Sequence, residues 1–309
     1  LTLGRLESKK IMMGREHNLI KRCEYESLDS LNANLAQIES LKELAASHGN
    51  DAIFICAPRG VDVLRDFCPP LFDGTICDKA FDRIGDADAL RATLRQRALE
   101  GEYVYYKTDH HWTALGAYYA YTAFMDAAGL GYYDYGSYTK HTINGFLGTL
   151  YSGTNMAKAL EENPDYVEWC EFPVANRTYQ YNKGDLQNYF ASSVMHGYAS
   201  GPYSYGVFLG GDYPLTIIKT DVNNGRKLVI IKESYGNAPA TYIASGFEET
   251  YVVDERYYDG NLVELVESRG ITDVLIINNC AAANTNFHIA NIESLLTQSY
   301  SGAIAYPED

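Results

Sequence analysis

Leu228-Val229-Ile230-Ile231-Lys232-Glu233-Ser234-Tyr235-Gly236-Asn237 is a β-type apolar run that ends on a serine and then turns through a glycine. Two more short apolar runs follow at 250–254 and 273–278. The stretches between the runs, 239–245 and 260–269, can each carry a helix. Strand-helix-strand-helix-strand is a parallel arrangement with right-handed crossovers. Ligands in such sheets bind at the carboxyl ends of the strands, which puts Ser234 at one binding end and Asn278-Asn279 at another.

The same pattern holds upstream. Leu28, Leu31, Leu35, Ile38, Leu41 and Leu44 recur at three-and-four spacing and predict an amphipathic helix over 28–48, stopped by Gly49. The nearly continuous apolar run at 51–58, closed by Pro58, reads as a buried parallel strand. Further helices are predicted over about 86–100 and 112–128, the second closed by Gly129. Residues 132–211 are rich in Gly, Asn and Tyr; they read as irregular or antiparallel β structure inserted on the domain, carrying substrate-facing loops. With no internal repeat and no low-complexity linker, residues 1–309 are expected to form one α/β domain rather than two.

Thr108-Asp109-His110-His111-Trp112-Thr113 supplies the chemistry that Ser234 lacks. A carboxylate two residues from an imidazole can fix its tautomer and stabilise its protonated form, as a general base needs when it activates a hydroxyl. Ser234, at a strand end before a helix, offers such a hydroxyl beside backbone N–H groups that can bind an oxyanion. Each residue also has a plainer role: Ser234 and Asp109 as helix caps, His111 as a structural side chain. Asp109, His110 and His111 together also suit a metal. Consecutive side chains usually diverge, however, so the two histidines are not expected to share an ion, and no cofactor is expected.

The chain carries a net charge of -15 and no run of Lys or Arg, so nucleic acid and anionic membrane surfaces are expected to be repelled. Its 27 tyrosines suit stacking on sugar rings as well as half-exposed packing. The six cysteines show no zinc spacing. Cys56 and Cys280 read as small buried hydrophobes, and Cys68 and Cys77 flank a loop that a disulfide would close in an exported protein. No apolar run of transmembrane length is present.

Lys107-Thr108-Asp109-His110-His111-Trp112-Thr113 resembles the namesake motif of the DHHW protein family, which is similar to the SGNH-hydrolase-like proteins that O-acetylate alginate and other bacterial exopolysaccharides. Gly145 to Ser152, Val207 to Pro214, Lys232 to Tyr235 and Val253 to Tyr258 look like the same family in the same order. The resemblance implies a three-layer SGNH-like α/β fold with a mostly parallel central sheet. It also implies a triad of Ser234 as nucleophile, His111 as base and Asp109 as orienting acid. Asn278 or Asn279 stands where such enzymes keep an oxyanion donor, and Tyr235 and Trp112, beside the serine and the histidine, are candidate substrate contacts. Glu233 replaces the more usual Asp before the serine. Arg256 and Arg59 suit either an anionic sugar substituent or a salt bridge.

The resulting expectation is an extracytoplasmic carbohydrate O-acetyltransferase or acetylesterase. Its partners would be a polysaccharide and a membrane component that passes on the acyl group, with no nucleic acid. A non-catalytic carbohydrate-binding protein on the same fold is the alternative, followed by a metal-dependent hydrolase.

Overall fold

The computed structural model describes residues 7–8, 10–22, 27–47, 49, 51–69, 72–84, 87–154, 158–300 and 302–308. Three short antiparallel strands, β1 (Glu7–Ser8), β2 (Ile11–Met13) and β3 (Leu19–Lys21), make a small sheet of their own. Helix α1 (Asp29–Ser47) buries Leu31, Ile38 and Leu41, the stripe its spacing predicts, and leads into β4 (Asp51–Ala57). Then come α2 (Gly60–Val63), α3 (Thr75–Ile84), α4 (Ala87–Leu99) and α5 (Ala114–Ala127). Helix α5 begins where the Thr113 hydroxyl accepts the Gly116 N–H. Strand β5 (Lys140–Phe146), helices α6 (Thr149–Gly153) and α7 (Lys158–Glu161), and strand β6 (Asp165–Cys170) follow, with β5 and β6 paired in a separate sheet. The chain continues through β7 (Asn176–Asn182), β8 (Asp185–Ser192), β9 (Leu215–Thr220), β10 (Lys227–Lys232) and α8 (Asn237–Ile243). It ends with β11 (Glu249–Asp254), α9 (Leu262–Arg269), β12 (Asp273–Asn279) and α10 (Asn286–Thr297).

The central sheet runs β4-β12-β10-β11-β9-β7-β8. The first four strands are parallel, with Ile230 of β10 registered between Leu275 and Val252, and the last three are antiparallel. Continuous apolar runs mark the parallel strands because both sheet faces are covered. Ile230, Val252 and Leu275 pack on Tyr121 and Phe124 of α5 and Ile243 of α8. On the other face Val229, Val253 and Ile276 pack on Ile38, Leu265 and Ile292, from α1, α9 and α10. The result is the three-layer α/β fold, and it brings Ser234, one residue past Glu233 at the end of β10, to the carboxyl edge of the parallel strands.

The stretch 132–211 divides. Strands β5 and β6 stand apart, but β7 and β8 extend the main sheet through β9, a strand not expected from the sequence. The cysteine pairing is also different from the expected one. Cys68 is a free buried thiol turned onto the Leu64 carbonyl at 3.4 Å, whereas Cys77, within α3, is disulfide-bonded, and not to Cys68. Cys56 and Cys280 are buried thiols as expected, and Cys23 lies outside the described residues. Among the described residues no helix is long and apolar enough to cross a membrane.

Candidate active site

Tyr105 pairs with Trp112 in an isolated antiparallel bridge, and the Tyr106 N–H reaches the His111 carbonyl at 3.3 Å. Residues 106–111 are thereby held in a tight loop. Asp165, at the start of β6, clamps that loop: its carboxylate accepts the Lys107 N–H (3.0 Å), the Thr108 N–H (2.7 Å) and hydroxyl (2.5 Å), and the Tyr103 hydroxyl. The Thr108 hydroxyl in turn accepts the Gly148 N–H at 3.1 Å, fixing the loop to the first turn of α6.

Asp109 then faces two ways. Its Oδ2 accepts the Thr149 N–H (2.8 Å) and hydroxyl (2.9 Å); its Oδ1 accepts the His111 N–H (3.0 Å) and lies 2.7 Å from His111 Nδ1. The other ring nitrogen, Nε2, is 2.9 Å from Ser234 Oγ. With Nδ1–H donating to the carboxylate, Nε2 is the acceptor that faces the hydroxyl. Burial pushes the Asp109 carboxyl up, but the charge and hydrogen bond of His111, helped by His110 and the Thr149 N–H, outweigh it and hold the group well below the usual carboxylate range. An anionic Asp109 stabilises an imidazolium, so this relay can take a proton from Ser234 and keep it on the ring.

An aromatic frame holds the imidazole. Tyr205 stacks on it at 3.9 Å with planes 8° apart, and its hydroxyl donates to the Ser234 carbonyl at 3.2 Å. Trp112 is fully buried and donates its indole N–H to the Tyr235 carbonyl at 3.1 Å, while the Tyr235 hydroxyl donates to the His110 carbonyl. Both residues support the site from behind; the Trp112 ring does not reach substrate space.

Gly148 is required where Asp109 passes. A Cβ there would lie 2.3 Å from Asp109 Cβ and 2.4 Å from its Oδ2. Gly148→Ala is therefore expected to displace the carboxylate, lowering ester turnover and destabilising the fold by about 1–3 kcal/mol in denaturant unfolding. Wild-type turnover in a stable Gly148→Ala protein would contradict this placement.

Glu233 joins two strand ends. Its Oε1 accepts the Asn279 N–H at 2.9 Å, and its Oε2 accepts the Tyr235 N–H at 3.2 Å and lies 3.3 Å from Ser234 Oγ. The longer Glu side chain keeps the charge beside the serine and reaches the end of β12, so Ser234 stays within hydrogen-bond reach of His111.

Several expected contacts are not brought together. Asn278 is fully buried and donates to Glu255 at 3.1 Å, away from Ser234; Asn279 accepts the Ala281 and Ala282 N–H groups with its side chain. Alternation along β12 sends these neighbours to opposite faces, and neither lines the cavity that holds Ser234. Arg256 is committed to Asp254 (2.7 Å) and Asp212 (2.9 Å), its salt-bridge reading. Arg59 begins α2 with its N–H bound to Asp62 at 2.7 Å and lines a cavity of about 910 Å³ together with Tyr235, Asn279 and His288. Ser234 lies instead in an adjoining cavity of about 500 Å³, shared with His111, His196, Tyr198, Tyr203 and Tyr205. His110 lines both, and its Nδ1 is 2.6 Å from the Thr149 hydroxyl.

The two histidines do not diverge, contrary to expectation. On this tight loop their ring centroids are 3.8 Å apart, and donor atoms of Asp109, His110 and His111 all lie within 4.8 Å. An ion there would displace His111 from Asp109 or from Ser234, since both ring nitrogens are engaged. Burial and the neighbouring His111 push the His110 pKa down, which keeps that ring neutral.

Asp212, also on the Ser234 cavity, is held by Lys232 (3.5 Å) and Arg256 (2.9 Å) and accepts the Asn237 side-chain N–H at 2.9 Å. Burial raises its carboxyl pKa, but the two cations outweigh burial and hold it well below the usual range. A depressed folded-state pKa gives stability that is complete above the unfolded value, near 4, and lost as pH falls through the folded one. Asp212→Asn is thus expected to cost about 1–3 kcal/mol at neutral pH in urea unfolding, a gap that narrows below about pH 4. A deficit independent of pH would contradict it.

No motif in the sequence marks Tyr205, Thr149, Gly148 or Asp165 as an individual site residue. The Gly145–Ser152 stretch carried a partial signal; Tyr205 and Asp165 carried none, because each acts from a separate element across the loop.

The family model described as DHHW protein matches residues 90–253, and one described as SGNH hydrolase-like domain, acetyltransferase AlgX, matches residues 31–142. No curated protein sequence matches the chain. Among solved structures, a DHHW family protein from Eubacterium siraeum is 27% identical with a TM-score of 0.76, over 93% of this chain and 95% of that one. PatB1 of Bacillus cereus, solved with a sulfonyl adduct, is 17% identical with a TM-score of 0.73, over 90% and 97%. The O-acetyltransferase domain of Pseudomonas putida AlgJ is 14% identical with a TM-score of 0.56, over 92% and 98%. The last two likenesses establish a shared fold.

Proposed function

This chain belongs to the DHHW protein family, and we propose that it is a serine acyl-ester enzyme that transfers or removes O-acetyl groups on a cell-envelope or secreted carbohydrate. The observation that carries the proposal is the unbroken relay from Asp109 Oδ1 to His111 Nδ1 (2.7 Å) and from His111 Nε2 to Ser234 Oγ (2.9 Å). Ser234 Oγ attacks the acyl carbonyl and gives its proton to His111 Nε2; the donor's leaving oxygen takes that proton as acetyl-serine forms. A sugar hydroxyl or water then attacks the acetyl-serine, its proton passing through His111 back to Ser234 Oγ. The likeness in fold to one structure named an O-acetyltransferase domain, and the match of residues 31–142 to a family model described as an acetyltransferase, support this class of chemistry. The disulfide at Cys77 supports an oxidising, extracytoplasmic setting.

Hydrolysis of p-nitrophenyl acetate, followed by mass analysis of acetylated oligosaccharide, tests the reading. Ester turnover that depends on Ser234 supports it; equal inactivity of wild type and Ser234→Ala, with sugar binding retained, would favour the non-catalytic reading. Because both His111 nitrogens are engaged in the relay, dialysis against a chelator is expected to leave turnover unchanged. Loss on dialysis with recovery on adding zinc would favour the metal-dependent reading.

A further inference from the structure

Of one wall of the Ser234 cavity the relay uses Tyr205 alone. The wall is built from residues 193–211, which are well anchored: Met195 pairs with Phe208, the His196 N–H reaches the Val207 carbonyl at 2.8 Å, and the Leu209 N–H reaches the Val194 carbonyl at 3.0 Å. Two tyrosines stand on this wall with their rings in water, Tyr198 at 82% and Tyr203 at 81% exposure. Tyr198 is nonetheless fixed, because its hydroxyl meets His196 Nδ1 at 2.7 Å. The His196 ring is lodged under Gly210, whose φ is +72° and where a Cβ would come within 2.8 Å of the ring. An exposed aromatic face held in place before anything binds, as that of Tyr198 is, is what a stacking ligand uses at low entropic cost, and Tyr203 lines the same cavity.

Asn237 lies on the same cavity, three residues after the nucleophile and only 2% exposed. The Asp212 carboxylate requires a donor, so the amide turns its nitrogen that way, and its Oδ1 is left buried with no hydrogen-bond partner. Buried acceptors of this kind are nearly always satisfied, and a ligand O–H would satisfy this one. Charge narrows the ligand further. Among the described residues no Lys or Arg lines this cavity, and the carboxylate of Asp212 that does is already paired with Arg256 and Lys232, so an anionic sugar would find no cation on its walls.

We propose that this wall is the acceptor subsite, in which a neutral sugar stacks on Tyr198 and Tyr203 and a hydroxyl donates to Asn237 Oδ1. The assignment rests on the acyl-ester reading and adds the class of acceptor. It is tested by titration calorimetry on the Ser234→Ala protein with three probes: cellohexaose, the N-acetylglucosamine hexamer and hexagalacturonate. At least one neutral hexamer is expected to bind, at least about fivefold more tightly than hexagalacturonate, and Tyr198→Ala and Tyr203→Ala are each expected to weaken it about fivefold or more. Asn237→Leu, which removes the acceptor oxygen, is expected to weaken the same hexamer, and unchanged affinity in that variant would remove Asn237 from the subsite. Failure of both neutral hexamers, equal or tighter binding of hexagalacturonate, or smaller effects in tyrosine variants that unfold at the wild-type temperature would overturn the subsite. Absence of Ser234-dependent ester turnover would instead overturn the acyl-ester reading and leave these binding results to stand or fall alone.

Discussion

Ser234→Ala is expected to lower p-nitrophenyl acetate turnover on the order of 10⁴-fold or more, with little change in stability. Among the described residues the hydroxyl is the only group at the end of β10 that both faces His111 Nε2, at 2.9 Å, and stands on the cavity. Glu233, 3.3 Å from the same oxygen, does not replace it: its carboxylate is occupied by the Asn279 and Tyr235 N–H groups. Removing Oγ leaves Asp109, His111 and the aromatic frame in place, so near-UV circular dichroism and unfolding temperature serve as controls. Turnover within about tenfold of wild type would show that the chemistry lies elsewhere.

Asp109→Asn is expected to cost about 10³- to 10⁴-fold in kcat, by another route. The Asn oxygen can still accept the Thr149 N–H and hydroxyl that now hold Oδ2 at 2.8 and 2.9 Å. Its amide nitrogen then faces His111 Nδ1 and donates to it, which turns the ring into the Nε2–H tautomer and points a donor at the Ser234 hydroxyl. The carboxylate that stabilises the imidazolium is lost at the same step. Kinetics at rising pH checks this, since hydroxide substitutes for the missing base and turnover of the variant should climb where wild type is flat. A variant with wild-type kcat and pH profile would remove Asp109 from the relay.

Helix α1, strand β4 and the three parallel strands were legible because each hides an apolar stripe or both faces, and periodicity reports burial. The antiparallel half of the sheet was not. Strand β7 alternates polar and apolar residues, and its place depends on β9, whose Leu215-Thr216-Ile217-Ile218 run sits just past the tyrosine-rich stretch. In the site, Asp109, His111 and Ser234 could be read from a motif and a strand end. What residues 106–111 lean on could not, since Asp165, Thr149 and Tyr205 come from β6, α6 and the 193–211 wall. Strand ends also mislead about direction: Asn278 turns to Glu255, and Arg256 finds two carboxylates before any ligand.

The decisive measurement is covalent labelling with methanesulfonyl fluoride, read by intact mass and peptide mapping. A nucleophile activated by the relay predicts a single sulfonyl adduct on Ser234 that forms in wild type and fails to form in His111→Ala. An unmodified Ser234 in active enzyme, or labelling that persists without His111, would contradict the relay as the source of activation.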